Sequence, residues 1–236
     1  MVKDTLFSVP MNPVPFFTFD HQVAEVFDDM ISRSTPLYHS LQTLIARICV
    51  HLHRKNYAIY DLGCSTGQTL FTISKLCPDA QLIGVDSSAD MIRKAQQKCS
   101  GLDNISLITD DICNVPIENA DTILLPYSLQ FVPTKKRLPL LQRIFNALPP
   151  HGTLLLSEKI LSPNHPELFS SLHTDYKLAQ DYSALEIRQK RDALENVLIP
   201  KTLSENINLL SSAGFTQIET IFQYVNFVTI LGRKEN

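Results

Sequence analysis

What the chain lacks narrows its possible functions before any motif is read. It has no excess of basic residues: 21 Lys and Arg stand against 24 Asp and Glu, for a formal charge of −3, and the cations are scattered. The electrostatic footprint of a nucleic-acid partner is therefore missing, and direct binding to tRNA or DNA is not expected. The five cysteines (Cys49, Cys64, Cys77, Cys99 and Cys113) form no CxxC pair and no His/Cys cluster at metal-ligand spacing. No metal is expected, and the plain reading is reduced thiols in a cytoplasmic protein. No run of about 18 apolar residues and no charged-then-apolar leader is present, so neither membrane spanning nor export is expected. Repeats and low-complexity segments are also missing.

What is present is enough for one sizeable core: 236 residues, 44% hydrophobic and 19% charged, are read as a single α/β domain spanning 1–236. Three prolines within residues 1–19 make a regular helix unfavourable, so this segment reads as an arm whose aromatics lie against the body. Apolar positions then recur at helical spacing from Asp20 to Arg33 and from Leu37 to Arg54, closing an N-terminal part of arm and helices over 1–54. Short apolar runs follow at "AIYDL", "QLIGVD", "ISLIT", "TILLP" and "TLLLSE", separated by helical patterns at 67–77, 88–99 and 134–148. Such alternation predicts a mostly parallel sheet with helices on both faces. A helical insertion over 164–197, a helix near Leu203 to Ser212 and two closing strands complete the expected seven-stranded sheet.

The stretch "YDLGCSTG" ends the first strand, where an open α/β sheet places its ligands. It is not a phosphate loop, because Gly67 is followed by Gln68 rather than the Lys-Ser/Thr pair. It is not a dinucleotide fingerprint either, since Ser65 stands where the second glycine would approach a pyrophosphate. D-x-G-x-x-x-G, an acid ending the second strand (Asp86) and another ending the third (Asp110 or Asp111) resemble class I S-adenosylmethionine-dependent enzymes. Gly63 would let backbone approach the ligand without a Cβ in the way. Asp86 offers two acceptors for ribose hydroxyls, Asp111 an acceptor for the adenine amino group, and Ile112 apolar contact. The bland alternatives are a plain turn at the glycines and a helix N-cap at Asp86 or Ser87.

A more specific resemblance spans nearly the whole chain in order: "KDTLFS", "VAEVFDDMISRS", "YDLGCS", "SLQF", "LSEK", "YSALEIRQKR" and "ALENV" look like the carboxy-S-adenosylmethionine synthase family. The resemblance implies a Rossmann-like class I methyltransferase fold that does not methylate. It implies binding of S-adenosylmethionine and prephenate, and production of carboxy-S-adenosylmethionine and phenylpyruvate. It further implies a homodimer and a partner tRNA carboxymethyltransferase that uses the product at the wobble uridine. Carried over, the cofactor residues are Tyr38, Gly63, Cys64, Ser65, Asp86, Ser87, Asp111, Ile112 and Pro126. Arg191 matches the family's arginine on the transferred carboxylate. A guanidinium suits that task, being always charged and able to grip bidentately. Tyr182 is expected to frame the same carboxylate. His173, with no acidic or metal partner visible, is read as structural.

The chain also departs from the family. Pro126 and Ser87 stand at positions where the family has asparagine, and "KLAQDYS" replaces a K-R-A-N-G-Y-S type sequence. Proline offers neither a side-chain amide nor a backbone N–H. Two other functions stay open: an ordinary S-adenosylmethionine-dependent methyltransferase for a small acidic or aromatic molecule, and a non-catalytic S-adenosylmethionine-binding protein.

Overall fold

The computed structural model describes residues 2–235. Five parallel strands form one side of the sheet: β1 (Ala58–Leu62), β2 (Gln81–Asp86), β3 (Ile105–Thr109), β4 (Ala120–Pro126) and β5 (Thr153–Leu161). β6 (Lys201–Thr202) is a two-residue strand, while β7 (Gln217–Tyr224) and β8 (Phe227–Arg233) close the chain as a hairpin. The sheet order is β3-β2-β1-β4-β5-β8-β7, with β8 antiparallel to both β5 and β7. The seven expected strands are all present. The eighth, β6, pairs parallel with Ile160 and Leu161 of β5; two residues are too short for any alternation to reveal. β1 sits between β2 and β4 and is buried along its whole length, which is why "AIYDL" reads as an uninterrupted apolar run around one aspartate.

Eight helices are described: α1 (His21–Ser34), α2 (Tyr38–Leu52), α3 (Gln68–Leu76), α4 (Ala89–Lys98), α5 (Thr134–Ala147), α6 (Pro166–Ala179), α7 (Ala184–Leu194) and α8 (Leu203–Ala213). Leu41 and Ile45 of α2 pack with Leu70 and Ile73 of α3 on one sheet face. Leu141 and Ile144 of α5 pack with Leu210 of α8 on the other. Each such side chain, fully buried, contributes roughly 1.5–3 kcal/mol. The insertion is two helices rather than one continuous stretch. Asp181 takes φ 62° at the break, and α7 then restarts on a capping box between Ser183 and Glu186. The N-cap of α4 is Ser88, whose hydroxyl accepts from the Met91 amide. Neither Asp86 nor Ser87 serves that role, so both stay available to the end of β2.

The arm is fastened rather than loose. Phe7 and Phe17 join Val23, Met30 and Ala193 in a third apolar cluster, and the Phe17 amide donates to the Ala193 carbonyl of α7 (2.9 Å). Among the described residues no helix is long and apolar enough to cross a membrane.

Candidate functional site

A cavity of about 1110 Å³ lies at the C-terminal ends of β1, β2, β4 and β5 and is roofed by the arm, α1, α6 and α7. Its floor is the turn after β1. Gly63 takes φ 85°, Ser65 52° and Gly67 77°, so three residues of five occupy the left-handed region that glycine tolerates best. The Gly63 and Cys64 amides donate to the Val85 carbonyl at 2.7 and 3.0 Å, tying the turn to the end of β2. A Cβ on Gly63 would stand 2.2 Å from Ser128 Oγ. The requirement for glycine is therefore met inside the protein, against the loop after β4, and does not need a ligand to explain it.

Asp86 holds that turn from the other side. Its two carboxylate oxygens accept from the Ser65 and Ser88 amides, each at 2.9 Å. Burial pushes the carboxyl up from its usual range, and these two amides oppose the shift. Each oxygen retains acceptor capacity toward the cavity, which Asp86 and Ser87 both line. One turn along the rim, Asp111 accepts from the Cys113 amide at 2.8 Å, and Arg143 donates to the Ile112 and Val115 carbonyls. The Asp111–Ile112 pair is thus held at the cavity edge with one carboxylate oxygen free. Thr66 of the same turn donates to Asp28 of α1 at 2.6 Å, and Lys98 pairs with Asp28 at 2.8 Å, so α1 is bound to the floor.

All nine residues carried over as cofactor contacts line this cavity: Tyr38, Gly63, Cys64, Ser65, Asp86, Ser87, Asp111, Ile112 and Pro126. Cys64 does so with its thiol committed to the core beside Leu70 and pushed up by burial, which rules out a role for it as a nucleophile. Pro126 ends β4, and the chain then bends at Tyr127 (φ 62°), whose amide donates to the Ser157 carbonyl at 2.8 Å. The Tyr127 ring lines the cavity and its buried hydroxyl has no partner within the protein. Phe19 and Phe131 meet edge to face (centroids 5.0 Å apart) and add apolar wall. Acceptors on two neighbouring strand ends, an unpartnered buried hydroxyl and an aromatic wall suit a nucleoside without phosphates. The site fits S-adenosylmethionine in its donor and acceptor chemistry.

The opposite end of the cavity has another character. Lys159 at the end of β5, Lys177 of α6, and Lys190 and Arg191 of α7 line it together with His173. Burial lowers the Lys159 ammonium. Burial and then the charges of Lys159, Lys190 and Arg191 push Lys177 down to about 8, and burial likewise takes Lys190 to about 8 although Asp4 opposes it. His173 falls to about 3 through burial and the same lysines. Sequence reasoning found only Arg191 here. The available signal lay in "LSEK" and "RQKR", where the lysines are as specific as the arginine. His173, set aside as structural, does hold a structural bond: its Nε2 lies 2.8 Å from the Ser34 carbonyl. It nevertheless faces the cavity.

Arg191 lies at the mouth, with 73% of its side chain exposed and its Nε 3.5 Å from Asp192. Tyr182 is a correction. It is buried away from the cavity lining, and its hydroxyl donates to Asp4 Oδ2 at 2.5 Å while the Arg33 guanidinium lies 3.9 Å over its ring. The same Asp4 stands 3.8 Å from the Lys190 ammonium, which also donates to Ser34 Oγ at 3.0 Å. Tyr182 therefore anchors the arm that positions Lys190 and does not line the cavity.

A parallel five-strand half, a glycine turn after β1 and acids ending β2 and following β3 define a Rossmann-like protein of the class I methyltransferase fold. A family model described as a methyltransferase domain matches residues 59–152. Among solved structures, human N-acetylserotonin methyltransferase in complex with SAM superposes with a TM-score of 0.63 at 20% identity, covering 92% of this chain and 56% of that one. An O-methyltransferase family protein from Burkholderia thailandensis superposes at 0.69 with 13% identity, covering 92% of this chain and 60% of that one. The chain thus spans little more than half the length of these two structures. Its full-length relatives are more telling: carboxy-S-adenosyl-L-methionine synthases from Haemophilus ducreyi (39% identical, 100% of both chains) and Helicobacter pylori (40%, 99% of this chain and 100% of that one). The chain belongs to the carboxy-S-adenosyl-L-methionine synthase family.

Proposed function

We propose that the chain makes carboxy-S-adenosylmethionine from S-adenosylmethionine and prephenate, with phenylpyruvate and water as the other products. The observation that supports this best is the division of one cavity into an end of acceptors, around Asp86 and Asp111, and an end of cations, around Lys159, Lys177, Lys190 and Arg191. A plain methyl transfer to an oxygen or nitrogen gives no reason for four cations lining one end of the cavity, whereas a carboxylate donor does. S-adenosylmethionine supplies an activated methyl carbon, and one carboxyl unit moves to it from prephenate. The protein's part is to hold and to exclude. Asp86 takes the ribose hydroxyls, Asp111 the adenine amine, Ile112 and Phe131 the ring faces, and Tyr38 covers the pocket at the start of α2. Arg191 closes on the migrating carboxylate from the mouth, leaving its weak exposed pair with Asp192, which is worth about 0–1 kcal/mol. Pro126, in place of an asparagine, leaves one contact to be made by a neighbour, and Ser128 and Tyr127 flank it in the lining.

The same reading makes the chain a cytoplasmic homodimer that passes its product to a tRNA carboxymethyltransferase acting on the wobble uridine, without touching nucleic acid or membrane itself. Mass spectrometry of the small molecules after incubation with S-adenosylmethionine and prephenate tests the reaction. A sulfonium heavier by one CO₂ unit, formed only with prephenate, is expected. Unmodified S-adenosylmethionine alone, or a methylated acceptor, rejects it in favour of a binding protein or a methyltransferase. Asp86→Ala is expected to weaken S-adenosylmethionine binding by about 1.5–3 kcal/mol, on the order of 10- to 100-fold. A dissociation constant unchanged by calorimetry removes Asp86 from the ribose site.

A further inference from the structure

Two of the cavity's half-buried cations have no carboxylate counterpart among the described residues, whereas Lys136, also unpaired, stands in solvent at the rim. Lys190 is held by Ser34 and Asp4, and Arg191 by Asp192. Lys94 and Lys98 are paired to Glu25 and Asp28. The ammonium groups of Lys159 and Lys177, half-buried and lining the cavity, have no carboxylate that favours their charged form. A cation taken partly out of water without a partner is costly, and the fold keeps two of them together.

Their placement is specific. Lys159 stands opposite Phe227 in the β5–β8 register. Lys177 follows His173 by one turn of α6, so the two share a face. The His173 ring meets that same Phe227 edge to face at 5.0 Å. Because His173 Nε2 faces a carbonyl oxygen at 2.8 Å, that nitrogen carries the proton. The ring is a neutral spacer that neither neutralises the lysines nor adds to them. Lys159 and His173 thus flank Phe227, and Lys177 stands one turn further along α6, near enough to Arg191 at the mouth to feel its charge.

We propose that Lys159 and Lys177 bind the carboxylate that the substrate keeps, so that the cavity selects a dicarboxylate: one carboxylate held by Arg191 and transferred, the other seated on the lysines and retained. The inference rests on the carboxyl-transfer reading above and adds to it the basis of substrate choice. A monocarboxylate can neutralise only one of the two ends at a time, the lysines being the inner one; a dicarboxylate answers both. Phenylpyruvate, the product that retains the second carboxylate, is the probe that isolates the seat from the chemistry.

The test is calorimetry of phenylpyruvate and of S-adenosylmethionine with full-length wild-type protein, Lys159→Met and Lys177→Met, joined to steady-state kinetics with prephenate. Each methionine variant is expected to weaken phenylpyruvate binding and raise the KM for prephenate at least tenfold. The dissociation constant for S-adenosylmethionine should stay within twofold, and Lys177→Arg should recover most of the loss. Unchanged phenylpyruvate binding in both methionine variants overturns the seat, even if wild-type protein makes the carboxylated product. An equal loss for S-adenosylmethionine, signalling a general structural role, overturns it as well. Lysine-dependent phenylpyruvate binding by a wild-type protein that makes no product supports the seat while the activity reading falls.

Discussion

Arg191→Ala is expected to slow formation of the carboxylated product by about 10²–10³-fold, the usual cost of removing a fixed donor from developing negative charge. The dissociation constant for S-adenosylmethionine should change by less than about twofold, because an interaction made only with the migrating carboxylate lowers turnover without touching ground-state binding. The structure makes the experiment clean. The side chain stands at the mouth, largely in solvent, and its one ion pair among the described residues is the 3.5 Å pair with Asp192. Truncating it leaves no buried charge and no cavity, so the fold should be unaffected. Arg191→Lys should recover only part of the rate, since an ammonium carries the charge but not the two parallel donors. Quantifying product by mass spectrometry in single-turnover mode, with calorimetry alongside, separates the outcomes. Equal losses in turnover and cofactor binding would move Arg191 out of the chemistry and into the architecture of α7.

Asp61 should give the second large effect, on stability. It is 0% exposed in the middle strand of the sheet, outside the cavity lining, and neither carboxylate oxygen has a hydrogen-bond partner, although Thr69 lies near enough to ease the charged form. Burial first, and the Asp86 charge second, push its carboxyl up to about 8 from 3.8. The sign follows from proton counting. Between those values the folded chain keeps a proton that the unfolded chain has released, so raising pH through this window removes stability. The full loss is roughly 5–6 kcal/mol for a shift of about four units. Asp61→Asn is isosteric, neutral at every pH and equally short of partners. It should therefore resemble the parent below pH 4 and be the more stable protein at pH 8, by an amount on the order of several kcal/mol. Denaturant melts from pH 4 to 8 measure this directly; parallel profiles for parent and variant would show that the carboxyl ionises freely in the folded state.

The elements legible in the sequence were those whose signals are local. β1, β2, β4 and β5 announce themselves as short apolar runs because each lies between two neighbours, β3 is read from its alternating apolar residues although it is the exposed edge strand, and the acids at Asp86 and near Asp111 follow from where strands end. The two-helix form of 164–197 was not legible, since its break rests on Asp181 adopting a left-handed conformation that nothing nearby demands. Tyr182 was misassigned for a different reason: its partner, Asp4, is 178 residues away, and no periodicity encodes such a pairing. The basic run "RQKR" carries no sign in the sequence of which side chains turn inward. The helix in fact divides it, with Arg188 in solvent, Gln189 buried against the arm, Lys190 inward and Arg191 at the mouth. Lys159 escaped notice because its lining role requires β5 to run on to Leu161 and α6 to fold back over it, which is tertiary information.

The clasp between arm and α7 has a consequence for how the protein is made. Gln189 donates to the Phe7 and Val9 carbonyls and accepts from the Met11 amide, so segments 178 to 182 residues apart dock on one another. Contacts of such sequence separation form late, after the loop they close has been paid for in entropy. A nascent chain can build the floor of its cavity from β1, β2 and β4 while translation continues, but the wall carrying Lys190 and Arg191 cannot close until α7 (Ala184–Leu194) has been made. The cationic wall is therefore withheld from any chain that lacks α7, and the meeting of α7 with the arm is the event that fixes Lys190 in place.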